Sequence, residues 1–461
     1  MGCLAAEACG PAGRGIPIPL QACAVLGSAN ISNLPRPMSA NLQLDDVACP
    51  FCGLLCDDLR VAVAQDELTV VANGCPISTP AFASLAPNGP ATPRVAGRAA
   101  TLREAATAAA AILRQARQPL FAGLGTDVGG MRQALELADR CGAVLDHMNA
   151  ESTLRNLLAL QDEGLIATTL SEARNRADLM LIVGTDVVSR YPRFFERVVW
   201  NPETLFGLNG AKREVVYLGE VVNTAPGVAP DGRLPWVVSC APSRLGELIG
   251  ALRCVLADRP MDARGAGGVP MDTVKALADK LRRARYGVAV WTSADFSFPH
   301  AELVVQSLCE LIKELNRETR FCGLPLAGND GDVTANEVHV WQTGFPFRTS
   351  LGRGYPEYDP YHHCAARLLA RGEADALVWI SSYSDRRPPP PTDVPTVVLG
   401  RRGLELPREP EVFIPVATPG VDHAAHLFRA DKAVVVRLGQ LRESPLPSVA
   451  QALAAIEEAY S

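Results

Sequence analysis

CPFCGLLCDDL (Cys49–Leu59) packs three cysteines into eight residues, and a fourth, Cys75, follows in NGCP. The spacing is C-x2-C-x3-C-x18-C. Four thiolates are what a [4Fe–4S] cube takes, one for each iron. Three sulfurs on one loop can converge, and a distant fourth closes the cage. Zinc also accepts four cysteines, but zinc ribbons carry two C-x2-C knuckles and only one stands here. The third reading is four reduced thiols that simply pack a loop. From the residues alone all three stay open, with Cys49, Cys52, Cys56 and Cys75 as the candidate metal ligands. Gly53 is expected to let the loop wrap tightly.

Outward from the loop, DLRVAVAQDELTVVANGC reads as a hairpin that carries Cys75 back towards the other three. The proline-bearing APNGPATPR (86–94) follows as a linker. Beyond it the pattern is α/β. An alanine-rich helix spans about 99–117, PLFAGLG is a buried strand, GGMRQALELADRCG a helix and AVLDHM a strand. ADLMLIVGTD, EVVYLGE, YGVAVWTSAD, ADALVWISSYSD and PTVVLG are further strands, HAELVVQSLCELIKELNRET is a long amphipathic helix, and SVAQALAAIEEAYS is a terminal helix. Strands alternating with helices predict parallel sheets with helices on both faces. The expected division is a disordered extension 1–40, a cysteine-rich unit 41–90, a first α/β region 91–285 and a second 286–461.

Bulk properties exclude several classes. A net charge of −6 leaves no basic excess to neutralise phosphates, so a general nucleic-acid binder is excluded. No apolar run reaches the ~18 residues of a membrane span. Thirteen cysteines scattered over 461 residues do not make a secreted disulfide scaffold, so the expected compartment is the cytoplasm. MGCLAA lacks the Ser or Thr of an acylation start, having Ala6 in its place. Met38 is a candidate start, and Cys3, Cys9 and Cys23 are not counted as ligands.

The quartet ahead of a large α/β body resembles the molybdopterin and tungstopterin oxidoreductases, and in particular the B subunit of formylmethanofuran dehydrogenase. The likeness is carried by CPFCGLLCDDL, LLALQDEG (157–164), WQTGFPFRTSLGRGYPEY (341–358), ALVWISS (376–382) and PGVDHAAHLFRADKAVVVRL (419–438). It implies a molybdopterin-oxidoreductase-like fold with a small N-terminal cysteine-rich unit. It also implies the bacterial form of this polypeptide, part of a formyltransferase/hydrolase complex that moves a one-carbon unit between tetrahydromethanopterin and a methanofuran-type carrier towards formate. The other subunits of that complex are the expected partners.

Catalytic members of the family place a metal-binding Cys or selenocysteine, then a His, just before a stretch like LALQ. Here HMNAESTLRNLLALQ puts Ser152 and Thr153 near those positions. The family's HPRH-like stretch reads RYPRFFER (190–197), which keeps Arg193 and loses both histidines. A redox metal needs a soft ligand and a proton path. The expectation is therefore a polypeptide without molybdenum or tungsten pterin, its role structural and its quartet holding at most a structural cluster. The rival is an active oxidoreductase with Ser152 as metal ligand and the cluster as electron relay. A stand-alone iron–sulfur carrier is disfavoured by the large body.

Smaller features have plain readings. GLGTDVGG (123–130) is expected to be a strand-to-helix turn, lacking the full dinucleotide spacing. GLPLAGNDGDVTANEV (323–338) reads as a Gly/Asn/Asp loop, which in the family borders the pterin. His362 and His363 are assigned to a surface, and Cys141 to the core at a helix end. Asp57 is expected to accept backbone hydrogen bonds or cap a helix. No G-x-S-x-G elbow is present.

Overall fold

The computed structural model describes residues 42–64, 67–85, 92–220 and 223–461. The expectations for 1–40, for Met38 and for Cys3, Cys9 and Cys23 lie outside the described residues, as does the Gln65-Asp66 turn.

Leu42–Val47, Leu59–Ala64 and Glu67–Ala72 form an antiparallel three-stranded meander. The expected hairpin is its second and third strands. Apolar residues alternate along Leu59–Ala64, and the inward ones, Leu59 and Val61, are fully buried.

Two parallel sheets make the body. In one, the strands Leu179–Val183, Glu214–Leu218, Trp236–Val238, Tyr286–Trp291 and Arg320–Pro325 run parallel in the spatial order 3-2-1-4-5. In the other, the core strands Pro119–Gly125, Val144–Leu145, Ala376–Ser381, Thr396–Arg401 and Val412–Val416 stand in the order 2-1-3-4-5, with short antiparallel strands on both edges. Both orders are doubly wound and reverse direction beside the first strand. The strands are continuous apolar runs because both faces are covered.

The chain path corrects the expected boundary at 285/286. Tyr286–Trp291 pairs with Leu179–Val183, so that boundary cuts through the five-stranded sheet. Pro119–Gly125 pairs with Ala376–Ser381, so the nine-stranded sheet takes strands from both expected regions. The five-stranded sheet lies wholly within the sequence between those two strands.

Helices cover the faces as the residue patterns dictate. Leu102–Gln115 opens with a Thr101/Glu104 capping box and buries its alanines against the nine-stranded sheet, beside the terminal helix Val449–Tyr460. Leu245–Leu256, Met271–Arg283 and Ala301–Leu315 cover one face of the five-stranded sheet. The opposite face carries Met180, Ile182, Val288 and Val290, and the same hydrophobic cluster includes Cys49, Cys52 and Cys56. The cysteine loop thus belongs to the hydrophobic core of the five-stranded sheet.

GLGTDVGG is a strand-to-helix turn, from Gly125 to the Asp127 N-cap of Val128–Cys141. Cys141 ends that helix, half-buried. The 323–338 segment is a loop only at 326–331. Its first residues belong to the strand Arg320–Pro325 and its last to the helix Asp332–Thr343. Glycines and asparagines hid the flanking elements.

Candidate functional site

Cys49, Cys52 and Cys56 lie on the connection between the first two strands of the meander, and all three are buried. The loop closes on itself: the Cys49 N–H donates to the Cys56 carbonyl (2.8 Å) and the Leu55 N–H to the Cys52 carbonyl (3.1 Å). Cys75 follows the third strand, half-buried, and its Sγ accepts from the Ser78 N–H (3.3 Å). Burial pushes the Cys49 thiol well up, the Cys52 thiol to about 12 and the Cys56 thiol to about 11. Charge on Cys75 would push each of the three higher, so the four sulfurs share one neighbourhood. Backbone N–H groups of Phe51, Leu54 and Leu55 favour thiolate at Cys49 and Cys52. Among the described residues, no three His, Cys, Asp or Glu side chains are placed to hold one metal ion. A cube asks for a different arrangement, each sulfur on its own iron. In iron-free protein, Cys52 and Cys56 should resist iodoacetamide at pH 8 and react only after denaturation, because the thiolate is the nucleophile. Peptide mass spectrometry showing fast native labelling of either would contradict this.

Gly53 has a role other than the one its type suggested. Its Cβ would lie 2.0 Å from the Ala327 carbonyl oxygen, so the cysteine loop touches the 326–331 loop backbone to backbone. The Ala430 N–H adds a bond to the Gly53 carbonyl (2.8 Å). Asp57 caps nothing. It pairs with Arg197 (2.6 Å), while Asp58 takes both Arg193 (2.6 Å) and Arg197 (2.7 Å). The arginine retained in RYPRFFER therefore pins the cysteine loop. Sequence reasoning missed this, although the charge pattern of CDDL against RYPRFFER was there to suggest it.

Beside the 326–331 loop lies a cavity of about 310 Å³. It opens at the carboxyl ends of the first and fourth strands of the five-stranded sheet, lined by Arg190 and Tyr191 from one and Thr292 and Ser293 from the other. The helix Ala150–Glu163, unforeseen from the sequence, supplies Ser152 and Thr153 to its wall. Both hydroxyls donate to one backbone atom: Ser152 Oγ to the Asn149 carbonyl (2.8 Å), and Thr153 Oγ1 to the same oxygen (3.3 Å). Among the described residues, no cysteine and no histidine lines the cavity. His147 is close in sequence but locked. Its Nδ1 accepts from the Asn149 N–H (3.1 Å), which leaves Nε2 to donate to Asn336 Oδ1 (3.1 Å). Burial pushes its pKa down to about 3, so the ring stays neutral and holds no spare proton. Among the described residues the cavity thus offers a molybdenum or tungsten pterin no soft ligand and no imidazole, and its two carboxylates, Asp332 and Asp431, are hydrogen-bonded to the protein.

His362 pairs with Asp359 (2.8 Å) on the surface, and the adjacent His363 faces no shared metal position with it.

No family model matches the chain. The B subunit of the formyltransferase/hydrolase complex Fhc of Methylorubrum extorquens is 31% identical over 356 residues, 74% of this chain and 89% of that one. The chain belongs to this B-subunit family. It is also similar to the B subunit of the tungsten-containing formylmethanofuran dehydrogenase 2 of Methanocaldococcus jannaschii, 26% identical over 413 residues, 87% of this chain and 94% of the other. The crystal structure of the formyltransferase/hydrolase complex FhcABCD of Methylorubrum extorquens, in complex with methylofuran, matches with a TM-score of 0.68 at 29% identity, covering 80% of this chain and 98% of that one. Acetylene hydratase from Pelobacter acetylenicus shares the fold alone, with a TM-score of 0.58 at 10% identity over 90% of this chain and 70% of that one. The expected fold class, a molybdopterin-oxidoreductase-like α/β body, is that of the B-subunit family. Among the described residues no helix is long and apolar enough to cross a membrane.

Proposed function

We propose that the chain is the B subunit of a cytoplasmic formyltransferase/hydrolase complex of one-carbon metabolism, and that it serves its partner subunits structurally rather than as a redox catalyst. The Methylorubrum relative and the matching FhcABCD structure, named for such a complex, support the assembly. One observation carries the structural role. At the positions where the resemblance leads a metal ligand and a histidine to be expected, Ser152 and Thr153 donate their hydroxyl protons to the N-cap carbonyl of their own helix. A serine that keeps its proton on a backbone carbonyl is a hard, neutral oxygen rather than the soft ligand a redox metal favours, which weighs against the rival oxidoreductase reading. The quartet Cys49, Cys52, Cys56 and Cys75 is suited to a structural [4Fe–4S] cluster, its sulfurs grouped and two of them favoured as thiolates by backbone N–H groups. When bound, such a cluster supplies four iron–sulfur bonds that staple the loop to the strand end bearing Cys75.

Metal analysis of the native complex tests this reading. Molybdenum and tungsten are expected well below one per chain, and a stoichiometric amount of either overturns it. In the same complex, Ser152→Ala and Thr153→Ala should leave formyl transfer and formate release unchanged. A hundredfold loss, about 2.7 kcal/mol of transition-state stabilisation, would restore the catalytic reading.

A further inference from the structure

The cavity beside the helix Ala150–Glu163 stands where the strand order of the five-stranded sheet reverses, the crevice in which open α/β sheets hold ligands. Its ~310 Å³ is at the small end of the range for organic ligands. Leu157, Leu165, Leu326 and Phe347 give it a largely apolar wall. Three cationic side chains reach it from three separate segments: Arg190, Arg387 and Lys432. Each is partly exposed, at 33%, 47% and 51%, which puts the charge at the mouth. Their carboxylate partners, Asp295, Asp330 and Glu337, do not line the cavity. The two acids that do are already engaged. Asp431 accepts from Arg429 and the Leu170 N–H, and Asp332 from the Asn149 amide and the Gly328 N–H. Tyr191 and Thr292, also in the lining, are fully or almost fully buried, and their hydroxyls have no hydrogen-bond partner among the described residues.

We propose that this cavity binds a compact organic carboxylate whose apolar, ring-sized body lies against Leu157 and Phe347 and whose anion is held by Arg190, Arg387 and Lys432. The inference rests on the reading that no metal pterin fills the same space. An apolar wall gains from burying a hydrocarbon body. A cationic mouth selects the anion over its neutral isostere, more strongly at low salt.

The test uses benzoate against benzyl alcohol, titrated calorimetrically into the full chain co-purified with its partners. Benzoate should bind saturably, and benzyl alcohol at least about tenfold more weakly. Leu157→Trp, which fills the cavity, should abolish benzoate binding. Lys432→Gln should weaken it about fivefold at low salt and hardly at all at high salt. Three results each overturn the proposal: no saturable benzoate binding, equal affinity for the alcohol, or undiminished binding by a Leu157→Trp variant with native melting. If Leu157→Trp fails to fold, unchanged benzoate affinity in Lys432→Gln at low salt overturns it instead. Metal measured on the same sample separates the two readings. Bound molybdenum or tungsten sinks the structural role, whereas a metal-free complex that ignores benzoate sinks only the carboxylate site.

Discussion

Gly53→Val is expected to lower the urea midpoint of the purified protein sharply, with a loss of about 3 kcal/mol or more. The reason is a backbone-to-backbone contact. A Cβ at Gly53 would stand 2.0 Å from the Ala327 carbonyl oxygen, and one at Gly328 would stand 2.6 Å from Gly53 Cα. Neither obstacle is a side chain that can swing aside. The cysteine loop cannot retreat either, because the Ala430 N–H holds the Gly53 carbonyl and Arg193 and Arg197 hold the two aspartates that follow. The damage should reach the thiols, so Cys52 and Cys56 should become open to alkylation without denaturant. A Gly53→Val protein with the parental midpoint and protected thiols would show that the two loops can part at little cost.

Arg213→Met should cost about 3–5 kcal/mol, read from the same midpoint, although no carboxylate is paired with that arginine among the described ion pairs. Arg213 is 1% exposed. Its guanidinium donates to the carbonyls of Ala177 (2.6 Å), Val198 (2.8 Å), Val199 and Arg174 (2.7 Å). These are the last carbonyls of the helix Leu170–Arg176 and of the helical turn Phe195–Val199, which lack partners within their own segments. Burial pushes the Arg213 pKa down to about 10, so the side chain stays charged at neutral pH and suits the negative ends of both segments. Methionine fills most of the volume and leaves the carbonyls bare. Lysine keeps the charge but cannot fork to so many acceptors, so Arg213→Lys should recover only part of the loss. A Met variant as stable as the parent would mean that water replaces the guanidinium.

Much of the fold was legible because it rests on local patterns. PLFAGLG, LMLIV and ALVWIS are uninterrupted apolar runs of strand length, which suit strands covered on both faces. Thr101 with Glu104, and Ser448 with Gln451, announce helix starts by capping chemistry alone. What escaped was non-local. Nothing near residue 285 says that Tyr286–Trp291 will lie beside Leu179–Val183, since parallel pairing is decided by crossovers a hundred residues long. The site divides in the same way. The cysteine spacing is a short-range signal and was visible. The partnership of Asp57 and Asp58 with Arg193 and Arg197 joins residues about 135–140 apart, and the matching charges of CDDL and RYPRFFER hinted at it without fixing which residues pair. Ser152 and Thr153 were located by resemblance, but their bonds to Asn149 needed a helix whose mixed residues, NAESTLRNLLALQDE, give weak periodicity.

The nesting of one sheet inside the other sets a timetable for synthesis. Pro119–Gly125 leaves the ribosome long before its neighbour Ala376–Ser381, and the five-stranded sheet has everything it needs once residue 325 is out. At about 5–20 residues per second, the earlier strand waits roughly 12–50 s for its mate. During that interval an uninterrupted apolar strand has one unsatisfied edge, the kind of surface that chaperones bind and aggregates recruit. A ribosome pause anywhere between 125 and 376 would lengthen the exposure, so slow translation of this interval is expected to lower the yield.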